Sequence, residues 1–201
     1  MIRVIVADDE TLLRDALESL LSLQDDLEVV GVAASGPEAI ALIERTRPDV
    51  AVLDMQMPAA DGIEVTRAVA ETAPETKCLI VTSHARPGYL KKALGSGARG
   101  FVPKTTSGKE LANVIRRIES GQRYVDPALS AEAIAAGDSP LTPRESDVLE
   151  LAADGAPVEE IAERVCLSPG TVRNYLSSAM AKLGAPNRHA AAEAARAKGW
   201  I

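Results

Sequence analysis

The chain has 201 residues, 46% of them hydrophobic, enough for one large or two small domains with ordinary cores. No apolar run approaches the roughly 20 residues that span a bilayer, and the N-terminus, MIRVIVADDE, puts acids where a signal peptide needs a continuous apolar stretch, so the cytoplasm is the expected location. The net charge of −7 is unevenly spread: residues 1–138 hold 15 basic and 21 acidic side chains and residues 139–201 hold 7 and 8, so the acidity that argues against a nucleic-acid partner belongs to the first part.

With one Phe, one Trp and three Tyr, the core has to be aliphatic. Cys78 and Cys166 both lie in apolar contexts and read as reduced, buried small hydrophobes. Two distant cysteines and two histidines offer no zinc site.

Along residues 1–120, short β-branched runs alternate with segments of helical spacing. The runs are RVIVA (3–7), LEVVGVA (27–33), VAVLD (50–54), KCLIVT (77–82) and RGFV (99–102). Between them, Leu12, Leu13, Ala16, Leu17, Leu20 and Leu21 follow the i, i+3/4 rule, as do Ala39, Ile40, Leu42 and Ile43, then Val65, Ala68 and Val69, and finally Leu111, Val114, Ile115 and Ile118. The last helix opens on SGKE, with Ser107 as cap and Glu110 as its capping-box partner. Five strands alternating with five helices predict right-handed crossovers and a parallel sheet covered on both faces. Residues 121–140 contain Gly121, Pro127, Gly137 and Pro140 and read as a linker. From 141 to 201 the chain is all helical. LTPRE is a capping box, with Thr142 as cap, Pro143 at the first helical position and Glu145 reaching back. VEEIAERV follows as a short second helix. The third, LSPGTVRNYLSSAMAKLG, is capped by Ser168 and stopped at Gly184, and NRHAAAEAARAKG is the fourth.

In an open parallel sheet, ligands bind beyond the carboxyl ends of the strands. The first strand ends in Asp8 and Asp9, the third in Asp54 and the fourth in Thr82, and Lys104 follows the fifth. Acids could merely favour the first turn of the next helix, but helix capping does not bring Asp54 and Lys104 to the same corner. Three carboxylates repel one another, and a small oxygen-seeking cation, Mg²⁺ or Mn²⁺, relieves that repulsion while leaving room for a phosphoryl oxygen. A phosphoryl group on Asp54 would have its charge met by the cation, by Lys104 and by the Thr82 hydroxyl.

In the third helix of the C-terminal part, Leu167, Val172, Leu176, Met180 and Leu183 form one stripe, with Arg173, Asn174, Ser177, Ser178 and Lys182 opposite. The tight LSPG turn after a short helix is helix-turn-helix architecture. Arg173 and Asn174 can read base edges in the major groove, while Lys182 and Thr171 suit phosphate.

VADDE, LDMQMPAADG, VTSHA and GFVPKT resemble the signature positions of the response-regulator receiver domain. LTPRESDVLELAADG and EIAERVCLSPGTVRNYLSSAMAKLGAPNR resemble the LuxR-type helix-turn-helix. Together they are similar to the NarL/FixJ class, and SHARPGY, GTVRNY and KGW resemble its DesR-like branch. The resemblance implies a flavodoxin-like (βα)5 receiver over 1–120 with strand order 2-1-3-4-5, a linker over 121–140, and an all-α four-helix DNA-binding domain over 141–201. It implies Asp54 as phosphoacceptor, served by a sensor histidine kinase. Asp8, Asp9, Asp54 and the Gln56 backbone carbonyl would hold Mg²⁺, and Thr82, Phe101 and Lys104 would form the switch. Arg173, Asn174 and Ser177 would face DNA. Promoter duplex DNA and a second copy of the chain are implied partners, with RNA polymerase a candidate partner.

Pro103 precedes Lys104, whereas family members often have Pro after that Lys. Gln56 and His84 stand where the family tunes loss of the phosphoryl group. Phe101, the sole Phe, also reads as plain core. The Ala-rich last helix, Asn187 to Lys198, fits either a twin helix or its own domain, and the receiver could pair through helices one and five or four and five. Aspartate-nucleophile phosphatases of the haloacid-dehalogenase type are the rival class, but they carry a second Asp where this chain has Gln56, so slow loss of a phosphoryl group rather than turnover is expected.

Overall fold

The computed structural model describes residues 1–83, 87–137, 139–165 and 167–201. His84 and Cys166 lie outside the described residues. The chain forms two compact units, one lying within residues 1–130 and the other made chiefly of residues 131–201.

The first unit is built on a parallel six-stranded sheet of order β2-β1-β3-β4-β5-β6. Its strands are β1 (Ile2–Ala7), β2 (Leu27–Ala33), β3 (Val50–Asp54), β4 (Lys77–Thr82), β5 (Gly100–Pro103) and β6 (Tyr124–Val125), with α1 (Thr11–Ser22), α2 (Gly36–Thr46), α3 (Gly62–Thr72), α4 (Pro87–Gly95) and α5 (Gly108–Glu119) in the connections. The central strands are apolar on both faces, as a sheet covered on both sides requires. Val4, Val6, Val50, Val52, Leu79, Val81 and Val102 join Leu21 of α1 and Leu111, Val114, Ile115 and Ile118 of α5 in one cluster. The alternate residues Ile5, Ala51, Leu53, Ile80 and Phe101 are buried too, and the period of two sends them to the opposite face.

The sixth strand extends the five-stranded expectation. Tyr124 N–H donates to Arg99 O and Asp126 N–H to Phe101 O, adding a parallel edge beside Gly100 and Phe101. Two residues are too few to display a period, so RYVD reads as loop in the sequence. α6 (Pro127–Ala136) follows, and the boundary between units falls inside it.

Local signals place most helix starts. Ser35 caps α2, Asp61 and Glu64 form a capping box on α3, and Ser107 caps α5. Glu110 does not return the bond to Ser107; its carboxylate accepts from Asn113 instead. In the β3–α3 loop Ala59 adopts φ +67°, a left-handed conformation that costs a residue with a Cβ about 1 kcal/mol or more.

The second unit comprises α7 (Pro143–Ala153), α8 (Val158–Arg164), α9 (Pro169–Leu183) and α10 (Arg188–Ala197). Val148, Leu149, Ile161, Val172, Leu176 and Ala179 form its centre with Ala191, Ala192 and Ala195 of α10. The buried alanines of α10 thus pack on their own domain, one of the two readings that its composition allows. Among the described residues no helix is long and apolar enough to cross a membrane.

Candidate functional site

The acidic corner forms where β1, β3, β4 and β5 end. Asp8 and Asp54 are 1% and 4% exposed, and Asp9 is exposed. One carboxylate oxygen from each of the three lies within 4.8 Å of the others. Lys104 Nζ stands 3.0 Å from Asp8 Oδ2, 3.2 Å from Asp54 Oδ2 and 2.8 Å from Glu10 Oε1. Thr82, 1% exposed, ends β4 in the same corner.

Backbone bonds hold these side chains in register. Lys104 N–H donates to Thr82 O at 2.8 Å and Thr106 N–H to Pro103 O at 3.0 Å, so the turn after β5 is fixed from β4 with Pro103 before the lysine. No cis peptide bond occurs among the described residues. Met55 N–H donates to Val81 O and Gly62 N–H to Met55 O. A Cβ on Gly62 would lie 2.4 Å from Asp54 O, so only glycine lets α3 begin this close to Asp54. Phe101, on β5, is fully buried and registers opposite Ile80.

Burial, then the neighbouring Asp8 charge, pushes the Asp54 carboxyl up to about 6, while Lys104 and a hydrogen bond from the Gln56 backbone N–H hold it back. Burial also works against the Lys104 ammonium, but Glu10, Asp8 and Asp54 outweigh it and raise its pKa. Four carboxylates face one ammonium, so a negative excess remains. Oxygen donors only, in a cluster this tight and undercompensated, fit a hard divalent cation such as Mg²⁺.

The second candidate surface lies on α8 and α9. Ser168 accepts from Thr171 N–H at 3.1 Å, and Gly184 closes α9 at φ +62°. Val172, Leu176 and Ala179 turn inward, and Arg173, Asn174 and Ser177 are exposed. Thr171 engages Ser168 through its hydroxyl as well, at 2.9 Å. Arg173 Nη2 pairs with Glu159 of α8 at 3.1 Å.

Lys182 departs from the phosphate-facing expectation: its Nζ donates at 2.6 Å to Glu145 Oε2, a side chain that is almost fully buried. Ser178 donates to the other Glu145 oxygen at 2.6 Å, and Thr142 N–H donates at 2.7 Å. Burial pushes Glu145 up, but Lys182, Ser178 and Thr142 together outweigh it and hold the carboxyl at about 2. Lys182 thus ties α9 to the start of α7. The capping box disclosed one role of Glu145; its bonds to residues 33 and 37 positions away left no sequence signal. Glu10 and Glu159 were missed for the same reason.

Comparison with known proteins fits this two-part structure. Residues 4–116 match the response regulator receiver domain, and residues 139–195 match the luxR family of bacterial regulatory proteins. The chain is 40% identical over 201 residues to the transcriptional regulatory protein DesR of Bacillus subtilis, covering all of both chains. It is 37% identical to the DNA-binding transcriptional activator DevR/DosR of Mycobacterium tuberculosis, covering 96% of this chain and 93% of that one. Among solved structures, the response regulator ChrA of a heme-sensing two-component system aligns with TM-score 0.60 and 32% identity over 100% of this chain and 98% of its own. The response regulator RcsB in complex with DNA aligns with TM-score 0.69 and 26% identity over 97% and 98%. With matches to both parts and relatives alike from end to end, the chain belongs to the NarL/FixJ-type response regulators, DNA-binding transcription regulators of two-component systems rather than turnover enzymes.

Proposed function

We propose that Asp54 is the phosphoacceptor and that its loading from a sensor histidine kinase, in the cytoplasm, switches promoter binding by the helical unit. The supporting observation is the convergence on Asp54 of one ammonium at 3.2 Å and two further carboxylates. In the transfer, an Asp54 carboxylate oxygen attacks phosphorus; the new O–P bond forms as the P–N bond to the kinase histidine breaks, and the electron pair stays on the imidazole. Asp8, Asp9, Asp54 and the Gln56 backbone carbonyl would hold Mg²⁺ or Mn²⁺, which when bound neutralises charge on the phosphoryl oxygens. Lys104 orients a second oxygen and Thr82 donates to a third. With Gln56 where an acid would activate water, the acyl phosphate persists long enough to act as a signal.

Loading favours a receiver state in which Thr82 and Phe101 have shifted, a change of population rather than a new structure. That state pairs two chains and sets two α9 helices on successive half-sites. Arg173, Asn174 and Ser177 face base edges and Thr171 lies near phosphate, while Lys182 stays on Glu145 as an internal tie. The receiver then corresponds to 1–120, the linker to 121–140 and the DNA-binding domain to 141–201, and RNA polymerase is the partner on which promoter-bound dimers would act. The test is phosphoryl incorporation from a kinase or acetyl phosphate together with operator footprinting. Wild type is expected to gain a phosphoryl group and to footprint more strongly; incorporation at a residue other than Asp54, or footprints indifferent to loading, would refute the proposal.

A further inference from the structure

Glu10 stands at the N-cap of α1, with extended backbone at φ −77° and ψ 103°, yet its side chain makes no capping bond. Seven other helices take such a bond, from Ser35, Asp61, Ser107, Asp126, Thr142, Ser168 and Asn187. Forgoing it leaves donors of the first turn without a stabilising acceptor. The Glu10 carboxylate goes instead to Lys104, 94 residues along the chain and 2.8 Å away.

An ammonium has three N–H donors, and Glu10, Asp8 and Asp54 supply three acceptors at 2.8, 3.0 and 3.2 Å. A phosphoryl oxygen that reaches Lys104 has to displace one of them. Asp54 is the attachment point. Asp8 is 1% exposed, and its Oδ1 already accepts from Glu10 N–H at 2.9 Å. The Glu10 side chain is 63% exposed, so it returns to water at the least cost. It is also an anion that an arriving phosphoryl group would repel.

We infer that Glu10 is a positioning residue that competes with the phosphoryl group for Lys104, holding the ammonium beside Asp54 in the unloaded state and yielding it on loading. This rests on Asp54 being the phosphoacceptor. In the loaded state the freed Glu10 side chain is available to the first turn of α1, so loading is felt at that helix end as well as at Thr82.

The full-length protein is titrated with beryllofluoride, a phosphoryl stand-in, at saturating Mg²⁺ and followed by fluorine NMR, as wild type, Glu10→Gln and Glu10→Ser. Removing the competing charge is expected to tighten binding by about 1.5- to 5-fold, the range of an exposed ion pair. Structural damage would weaken binding instead. Glu10→Ser, which offers α1 a capping hydroxyl, is expected to melt no lower than wild type and to share the gain in affinity. Equal or weaker binding by both variants, with wild type binding normally, overturns the competition. Failure of wild type to bind beryllofluoride or to take a phosphoryl group from acetyl phosphate overturns the phosphoacceptor reading itself.

Discussion

Asp54 and Glu145 are equally hidden, each 4% exposed, yet they titrate in opposite directions, Asp54 near 6 and Glu145 near 2. Asp54 shares a single lysine with two other acids. Glu145 has a lysine in no other ion pair described here, a serine and a backbone N–H, at 2.6, 2.6 and 2.7 Å. The first carboxylate is left wanting positive charge and the second is satisfied. A deficit of this kind marks the residue that chemistry will change, and a surplus marks one that holds structure.

The sharpest way to break the contrast is Asp54→Asn. It is expected to abolish phosphoryl incorporation, read by phosphate-affinity electrophoresis, and with it the loading-dependent rise in operator affinity. The same substitution probes stability. The folded-state pKa of Asp54 is raised from 3.8 to about 6, so the folded chain binds the proton more tightly than the unfolded one. Stability from this group is present below pH 4 and lost as pH rises through 6. Without divalent metal at pH 7, Asp54→Asn is therefore expected to stabilise the receiver by about 2–3 kcal/mol in urea unfolding. The difference should close below pH 4, and Mg²⁺ should raise wild-type stability at pH 7 more than that of the variant.

Glu145→Gln should do the reverse. Its folded pKa lies below the ordinary 4.5, so its contribution is present above pH 4.5 and lost as pH falls towards 2. A cost of about 2 kcal/mol at pH 7 is expected for the helical unit, fading in acid, as measured by urea unfolding of the full chain. The smallest effect is on DNA. Lys182→Met should leave the salt dependence of operator binding unchanged, whereas loss of a phosphate contact would reduce the slope by about 0.9.

The two sites were unequally legible in the sequence. The acidic corner could be read because strand ends are where an open sheet gathers ligands, so Asp8, Asp9, Asp54, Thr82 and Lys104 assemble from topology alone. The caps at Ser107, Thr142 and Ser168 are contacts three residues long and were equally visible. What stayed hidden were bonds across the fold: Glu10 to Lys104, Lys182 to Glu145 and Arg173 to Glu159. A stripe of polar residues on α9 does not say which of them already has a partner inside the domain. The inward face of α10 was ambiguous because alanine packs as readily on its own domain as on a twin.

The two backbone bonds of Met55, the residue after Asp54, make Met55–Gly62 a hoop of set circumference, pinned to β4 through the Met55 N–H and closed by the first residue of α3 on the Met55 carbonyl. Since Gly62 touches the Asp54 carbonyl with no space for a Cβ, that hoop works as a ruler. A residue inserted or deleted between Met57 and Asp61 would change the spacing rather than the chemistry, and would unseat the carboxylate with every functional side chain still present.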